Sequence, residues 1–196
     1  SVVRIVLDLR HAVGKPDVAF DGGLLTVAIR PDDGTNGNAG YKPIVVIDPG
    51  HGGDAPGATS VDGRLEKEFN LAVALKTEAL LRQSPALTVV LTRTDDSSVS
   101  LADRVRIANE LNAVLFVSIH GNSIYPPANP SGTETYYTRP ESLAAAEVLH
   151  RRLTEAAGLP DRGVRKANLY VTRETAMPAV LLEVGYLSHP ADAALM

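Results

Sequence analysis

The chain has no cysteine among its 196 residues. Disulfide bonds and cysteine-ligated zinc are therefore excluded, and this composition is compatible with a protein that acts outside the cytoplasm. The sequence also has no apolar run long enough to span a bilayer, so we expect no transmembrane segment. A net charge of −4 and an isoelectric point near 5.7 argue against nucleic acid or an anionic membrane as a partner.

The length and composition allow a substantial hydrophobic core. Hydrophobic residues make up 44% of the chain and charged residues 21%, which predicts one full α/β domain plus a small appendage. The chain begins Ser1-Val2-Val3 within strand-like sequence and shows no signal peptide. We therefore expect this start to be a cut or processed end.

Residues 1–31 have the pattern of a small β unit. Residues 3–10 follow a period of two, and Asp21-Gly22-Gly23 separates two apolar stretches as a hairpin turn would. Residues 32–42 are rich in glycine, asparagine and aspartate without periodicity, which is typical of a linker. We place a domain boundary there and expect residues 43–196 to form the main domain.

Strand-like and helix-like segments alternate from residue 43 onward. The apolar run at 44–47 is typical of a strand covered on both faces. Ser100 is placed to cap a helix, with Asp103 at the third helical position. Together the segments predict an α/β fold, a single mixed, mostly parallel sheet flanked by helices, beside the short N-terminal β unit. The predicted strands are 44–47, 87–92, 114–119, 169–172 and 178–183, with 133–137 extended; the predicted helices are 67–82, 101–111 and 142–157.

A glycine-rich loop, Pro49-Gly50-His51-Gly52-Gly53, follows the first of these strands. Proline and glycine end the strand and deliver His51 to the edge where α/β folds place ligands. The loop lacks the lysine of a P-loop and the spacing of a dinucleotide-binding loop, which argues against a nucleotide. The other interpretation is a metal-bound histidine, which needs further ligands.

Two more strands end on residues with ligand chemistry. His120 follows residues 114–119, and Glu183 follows apolar residues 179–182, where a buried carboxylate needs a partner or a function. Because such strand ends meet at one sheet edge, His51, His120 and Glu183 can converge, joined by an acid from the first helix. Two histidines and one glutamate are a known zinc-ligand set with water in the fourth position.

The residues by themselves leave alternatives open. Either histidine could be a hydrogen-bonded turn residue, and the HExxH motif is absent. Composition does not separate Glu66 from Glu68 as the helical ligand. His11 and His150 lie among charged neighbours, so we expect them to be solvated. His189 precedes a proline and is expected to be a turn residue and not a fourth ligand.

Seven motifs occur in order along the main domain. They are VIDPGHGG at 46–53, LEKEFNLA at 65–72, LTR at 91–93, SIHGNS at 118–123, GTETYY at 132–137, RGV at 162–164 and MPAVLLEVGYL at 177–187. This series resembles the zinc-dependent N-acetylmuramoyl-L-alanine amidases of the amidase-3 family. The resemblance implies that His51, Glu66 and His120 hold Zn²⁺ and that Glu183 is catalytic. It favours Glu66 over Glu68, since the ligand in the family is the glutamate directly followed by this lysine.

The resemblance also implies a reaction and a setting. Zinc-activated water would cleave the amide between the lactyl group of N-acetylmuramic acid and L-alanine of the stem peptide, with Glu183 as general base and acid. The implied partner is peptidoglycan, the implied location is the periplasm or cell wall, and we expect a monomer. Two alternatives are another zinc hydrolase of the cell wall, a carboxypeptidase or deacetylase, and a non-catalytic wall-binding protein.

Two further expectations concern the regions around the catalytic motifs. Residues 1–31 resemble the end of an AMIN domain, which precedes many such catalytic domains and binds cell-wall material. Some division-linked relatives carry a long inhibitory helix between the second histidine and the catalytic glutamate. The interval from His120 to Glu183 has no room for an additional long helix. The chain therefore resembles the branch without an autoinhibitory helix.

Overall fold

The computed structural model describes residues 17–21, 24–28, 42–124 and 130–196. Its strands are β1 (Asp17–Asp21), β2 (Leu24–Ala28), β3 (Ile44–Pro49), β4 (Thr88–Leu91), β5 (Leu115–Asn122), β6 (Thr133–Tyr137), β7 (Asp161–Lys166) and β8 (Ala179–Tyr186). Its helices are α1 (Glu66–Leu81), α2 (Leu101–Glu110), α3 (Leu143–Ala157), α4 (Tyr170–Glu174) and α5 (Pro190–Leu195), with a 3₁₀ turn at Pro140–Ser142. None of the helices in these ranges has the length and apolar character needed to cross a membrane.

Strands β3 to β8 form one six-stranded sheet in the order β4-β3-β5-β8-β6-β7. Strand β3 pairs in parallel with β4 and β5, and β5 pairs in parallel with β8. Strand β6 runs antiparallel to β8 and parallel to β7. One antiparallel junction makes the sheet mixed, and the remaining pairings are parallel, as the sequence predicts.

Alternate side chains of the central strands enter two separate cores. One core lies against α1 and α3 and includes Ile47, Val117 and Leu182. The other lies against α2 and α4 and includes Phe116 and Leu181. Because strands covered on both faces must be apolar on both faces, these runs lack polar alternation. The predicted fold class, one mixed sheet flanked by helices, is confirmed.

Two central strands are longer than predicted. Strand β5 continues to Asn122 and β8 continues to Tyr186, so His120 lies within a strand and not after it, and Glu183 lies within a strand and not at its end. Pairing persists because His120 is the register partner of Glu183 and Asn122 that of Tyr186, with a register shift between the two pairs. The added residues of β5, His120-Gly121-Asn122, carried no apolar signal, and Glu183 and Gly185 interrupt that signal at the end of β8.

The strand predicted at 169–172 is wrong, since α4 spans Tyr170–Glu174. Four residues are too few to distinguish the periods of strand and helix. Thr175 Oγ1 donates to the carbonyl of Val171 at 2.8 Å, a contact that joins successive turns of a helix. Strand β7 was not predicted, because its sequence DRGVRK is charged and shows no apolar alternation.

The predicted N-terminal hairpin is present as an antiparallel pair. Asp21 of β1 is the register partner of Leu24 of β2. Residues 3–10, most of the predicted linker and His11 lie outside the described residues. The division into a β unit, a linker and a catalytic domain stays a prediction, as does the resemblance of the β unit to an AMIN domain.

The expectation that His150 is solvated is wrong. Its side chain is buried on α3, with Nδ1 2.9 Å from Thr135 Oγ1 and Nε2 2.8 Å from Asp161 Oδ1. His150 joins the buried helical stripe of Ala146 and Leu153, at spacings of three and four residues. Helical spacing identifies such a position, whereas the charge of adjacent residues does not.

Candidate metal centre

His51, Glu66 and His120 meet at the carboxyl edge of β3 and β5. His120 Nδ1 lies 2.8 Å from Glu66 Oε1, and His51 Nε2 lies 3.1 Å from the same oxygen. The two imidazole rings are edge-to-face with centroids 5.0 Å apart. One nitrogen from each ring and one carboxylate oxygen all lie within 4.8 Å of one another. Within the described part of the chain, no other cluster of histidine and acidic side chains has this geometry.

Glu66 is the first residue of α1 and is buried beneath both histidines. Its Oε2 accepts from the Ala58 backbone N–H at 2.8 Å, and its Oε1 lies 3.4 Å from Asn70 Nδ2. Burial raises the pKa of Glu66, but hydrogen bonds from His120 and His51 outweigh it, and the pKa falls below the ordinary value. The carboxylate is therefore ionised and oriented, as a metal ligand must be.

The loop after β3 has an unusual backbone. His51 has a φ of 61°, in the left-handed region that few residues other than glycine adopt. Glycines on either side permit close packing, since a Cβ on Gly50 would lie 2.2 Å from the His120 ring. A Cβ on Gly57 would lie 2.4 Å from Glu66 Oε2. The ligand cluster therefore requires the absence of side chains at these two positions.

Two buried arginines hold this loop through its carbonyl oxygens. Arg93 donates to Pro49 at 3.0 Å and to Gly50 at 2.9 Å. Arg104 donates to Pro49 and to His51, both at 2.7 Å. Each arginine is only 3% exposed. Three consecutive carbonyls are thus fixed by guanidinium groups, which accounts for how the strained His51 conformation persists.

Arg104 is itself held by Asp48, the buried acid of β3. Arg104 Nη1 donates to Asp48 Oδ1 at 2.6 Å, and Thr92 Oγ1 donates to the same oxygen at 2.5 Å. Ser118 Oγ donates to Asp48 Oδ2 at 2.7 Å. As predicted, Ser100 caps α2 by accepting from its third residue at 3.1 Å. The cap and the ion pair together place α2 against the loop that carries His51.

Glu183 lies next to the cluster on β8, directly across from His120. Its Oε2 is buried and has no hydrogen-bond partner among the described residues. Burial raises the pKa of Glu183 well above its ordinary value, and the negative charges of Glu66 and Glu134 raise it further. A carboxyl group with a raised pKa holds its proton more firmly than an ordinary one, a property that suits a group taking part in acid–base catalysis.

Glu134 lies on the other side of Glu183 from His120, as the register partner of Glu183 on β6. It is buried and accepts from Tyr136 at 2.5 Å, from Arg162 at 2.7 Å and from Tyr186 at 2.9 Å. Burial raises the pKa of Glu134, but the hydrogen bonds outweigh it and the pKa lies below the ordinary value. This carboxylate is thus a fixed negative charge beside Glu183.

A cleft of about 400 Å³ opens beside His51 and His120. Its walls include the first residue of α2, Leu101, and the first residue of α4, Tyr170. Both of these side chains are exposed, Leu101 by 55% and Tyr170 by 39%. An extended substrate can therefore reach the cluster from the α2 and α4 side.

The structure brings all four predicted site residues together and places His189 elsewhere. His189 precedes α5, where its Nδ1 accepts from the Asp192 backbone N–H at 3.4 Å, as expected for a turn residue. Sequence reasoning assigned no role to Arg93, Arg104 or Glu134. The sequence did contain one sign of such roles: each of these charged residues lies in or beside a segment that is expected to be buried. A buried charge usually needs an oppositely charged or hydrogen-bonding partner.

The donor set matches zinc chemistry. Imidazole nitrogen and carboxylate oxygen are common zinc ligands, and three protein ligands leave a position for water or substrate. Asn70 Nδ2 also donates to the Gly50 carbonyl at 3.1 Å, which ties the ligand helix to the ligand loop. The unpartnered Glu183 oxygen lies beside this cluster and is available to a group that the protein itself does not supply.

Solved structures that resemble this fold include N-acetylmuramoyl-L-alanine amidases. The chain aligns to the catalytic domain of CwlV, an N-acetylmuramoyl-L-alanine amidase from Bacillus (Paenibacillus) polymyxa var. colistinus, at 52% identity and a TM-score of 0.76, covering 79% of this chain and 87% of that chain. It aligns to amidase AmiC2 of Nostoc punctiforme at 41% identity and a TM-score of 0.75, covering 79% and 85%.

Curated relatives extend the comparison. The chain is 40% identical over 153 residues to N-acetylmuramoyl-L-alanine amidase LytC of Bacillus subtilis (strain 168), covering 76% of this chain and 30% of LytC. It is 37% identical over 161 residues to probable cell wall amidase LytH of Staphylococcus saprophyticus, covering 79% and 53%. The chain thus spans about a third to a half of these relatives. The family Amidase_3, described as N-acetylmuramoyl-L-alanine amidase, matches residues 45–196, and the chain belongs to this family.

Proposed function

We propose that this chain hydrolyses the amide bond between the lactyl group of N-acetylmuramic acid and L-alanine of the peptidoglycan stem peptide. The observation that carries the proposal is the convergence of His51, Glu66 and His120 within 4.8 Å, beside a glutamate with an unpartnered buried oxygen. Family membership supports the same reaction, because its description names this activity.

His51, Glu66 and His120 would hold Zn²⁺. Zinc in such a site lowers the pKa of water toward about 7 and polarises a carbonyl group. The two histidines must be neutral to bind a cation, and Glu66 must be ionised, which its lowered pKa favours. Fixation of Glu66 Oε2 by the Ala58 N–H leaves Oε1 directed at both imidazoles.

Glu183 would move the proton during hydrolysis. As general base it accepts a proton from the attacking water, and as general acid it donates that proton to the nitrogen of the departing L-alanine. The carbonyl carbon gains the water oxygen while the carbon–nitrogen bond breaks, so the products are a carboxylate and an amine. The raised pKa of Glu183 fits both steps.

The site is open, which suits a polymeric substrate. The side chains of His51 and His120 are 32% and 18% exposed. Between His120 and Glu183 the described residues form β6, α3, β7 and α4, and α3 packs against the core on the α1 side. We infer that the described part of the chain has no autoinhibitory helix over the site.

The proposed partner is peptidoglycan and the proposed location is outside the cytoplasm, in the periplasm or cell wall. Support comes from LytH, which is named a probable cell wall amidase, and from LytC, which is named an amidase. The net charge of −4 gives no support to a nucleic-acid partner. We propose that the chain acts as a monomer, with residues 1–31 as the end of a wall-binding β domain.

The test uses isolated peptidoglycan and follows new L-alanine amino termini and new reducing sugar ends separately. Zinc-dependent amines without reducing ends, abolished by a chelator and by Glu183→Gln, are expected. Release of D-alanine or acetate would instead identify a carboxypeptidase or deacetylase. Binding to peptidoglycan without any release of amines would contradict the proposal and leave a wall-binding protein.

A further inference from the structure

The residues His120, Glu183 and Glu134 form a row across three adjacent strands. Glu183 is the register partner of His120 on one side and of Glu134 on the other. Register partners present their side chains to the same face of a sheet. On the far side of Glu134 lies β7, the edge strand of the described sheet, which carries Arg162 and Arg165.

The two arginines leave this end of the row positively charged. Arg162 Nε donates to Glu134 Oε1 at 2.7 Å, and Arg165 Nη2 lies 3.3 Å from the same oxygen. Two guanidinium groups thus face one carboxylate. Their side chains are 33% and 45% exposed, while Glu134 is 2% exposed. The arginines therefore reach solvent, and the acid that anchors them does not.

Glu134 does not depend on Arg165 for its hydrogen bonds. It already accepts from Tyr136 and Tyr186, and Asn122 Nδ2 donates to its Oε2 at 3.2 Å. With Arg162 added, both carboxylate oxygens have close donors. The 3.3 Å contact of Arg165 is the longest of the set. Turning to another anion would cost Arg165 this contact and its hydrogen bonds to the Arg162 carbonyl at 3.2 and 3.3 Å, but it would not leave Glu134 unsatisfied.

The opposite side of the site has a different character. The cleft beside His51 and His120 is bordered by two exposed, uncharged side chains, the aliphatic Leu101 and the aromatic Tyr170. The glycan strand of the proposed substrate is uncharged where muramic acid is amide-linked, whereas the stem peptide carries free carboxylates at its second or third residue. Charge complementarity assigns the peptide to the arginine side and the sugars to the cleft side.

We propose that Arg162 and Arg165 bind a free carboxylate of the stem peptide. Strands lie about 4.8 Å apart, so β7 lies roughly 14 Å from the strand of His120. Extended peptide spans about 3.3 Å per residue, and the arginine side chains reach back toward Glu183, so the second and third stem residues both fall within range. This inference rests on the proposed function, because it names the part of the substrate that the same site recognises.

The experiment compares four muropeptides: both carboxylates free, the second residue amidated, the third residue amidated, and both amidated. For the parent chain, amidation at one of the two positions should lower kcat/KM by about tenfold or more, as loss of a charge-assisted hydrogen bond implies. In Arg165→Gln the kcat/KM for the free-carboxylate substrate divided by that for the amidated substrate should fall below about threefold. Which position responds identifies the carboxylate.

The matched control is Arg152→Gln, since Arg152 is 41% exposed in an ion pair on α3, away from the row. It should keep the parental ratio. Arg162→Lys keeps a cation near Glu134 but removes the guanidinium, and should lower the ratio in part. An unchanged ratio in Arg165→Gln and in Arg162→Lys would overturn the proposal.

A binding measurement tests this inference independently of the proposed hydrolysis. In the Glu183→Gln background, calorimetric Kd values for the same muropeptides should show the same preference, and adding Arg165→Gln should remove it. A carboxylate preference in binding without hydrolysis by the parent would contradict the proposed function alone. Hydrolysis without any carboxylate preference would contradict the arginine assignment alone.

Discussion

The guanidinium of Arg104 donates to the backbone carbonyl of His51 at 2.7 Å, while its Nη1 is paired with the buried carboxylate of Asp48. One side chain thus links strand β3 to the loop that carries His51, a candidate metal ligand. The pair is 4% and 1% exposed, so loss of either member leaves an uncompensated buried charge.

Arg104→Met should therefore lower the free energy of unfolding by about 3–5 kcal/mol. It should also weaken zinc binding, because the strained conformation of His51 loses a carbonyl contact. Urea unfolding and calorimetric zinc titration measure the two effects. Arg106→Met, two residues along the same helix but 56% exposed, is the control and should change neither. Equal behaviour of the two variants would contradict this role for Arg104.

Glu183→Gln should lower kcat by about 10²–10⁴-fold, the usual contribution of a general acid–base group. Zinc stoichiometry should stay at the parental value, since Glu183 is outside the three-ligand cluster. Elemental analysis and the amine-release assay measure these outcomes. Glu174→Gln alters an exposed ion pair with Arg173 and should leave kcat unchanged. Loss of bound zinc in Glu183→Gln would indicate a ligand and not a proton carrier.

Strand ends were the informative part of the sequence. Apolar runs located β3, β5 and β8, and the polar residues that ended them, His51, His120 and Glu183, were predicted to converge because parallel strands share an edge. The structure brings these side chains together. The choice of Glu66 over Glu68 came from family resemblance, because both acids lie in the first turn of α1 and only packing distinguishes them.

The supporting residues were not predictable in the same way. Arg93, Arg104 and Glu134 act through contacts with residues far along the chain, such as the 55-residue separation between Arg104 and Pro49. Local periodicity carries no information on such pairs. Strand β7 escaped prediction for a related reason, since an edge strand with charged side chains lacks the apolar alternation on which strand prediction depends.

Removal of zinc should lower thermal stability and abolish activity. A ligand that binds only the folded state stabilises it by about 2.7 kcal/mol at one hundred times its dissociation constant. His120→Ala should bind zinc weakly and show no such stabilisation. His189→Asn is the control, because asparagine also caps helices and His189 lies outside the cluster. Zinc-dependent stabilisation of His120→Ala equal to that of the parent would exclude His120 as a ligand.

The contribution of Glu134 to stability should depend on pH. The pKa of Glu134 is lowered from its ordinary value of 4.5 in the folded chain. Its ionised form therefore stabilises the fold at pH values above 4.5, and this stabilisation is lost as the pH falls through the lowered pKa of the folded chain. The difference in unfolding free energy between the parent and Glu134→Gln should be largest above pH 5 and should shrink toward pH 3. Urea unfolding across this range measures it. A difference independent of pH would contradict the assignment.

Gly50→Ala should disrupt the metal centre through a single methyl group. The new Cβ would lie 2.2 Å from the His120 ring, so the ring or the β3 loop must move. Both are held in place, the loop by Arg93 and Arg104 and the ring by Glu66, so we expect weaker zinc binding and a lower unfolding temperature.

Gly158→Ala is the control for this prediction. Gly158 lies in the left-handed region with a φ of 64°, and no neighbour lies within 4 Å of the added Cβ. It should cost about 1 kcal/mol of backbone strain while zinc affinity stays parental. Parental zinc affinity in Gly50→Ala would show that the His120 ring has room to relax and would contradict the close packing on which this prediction depends.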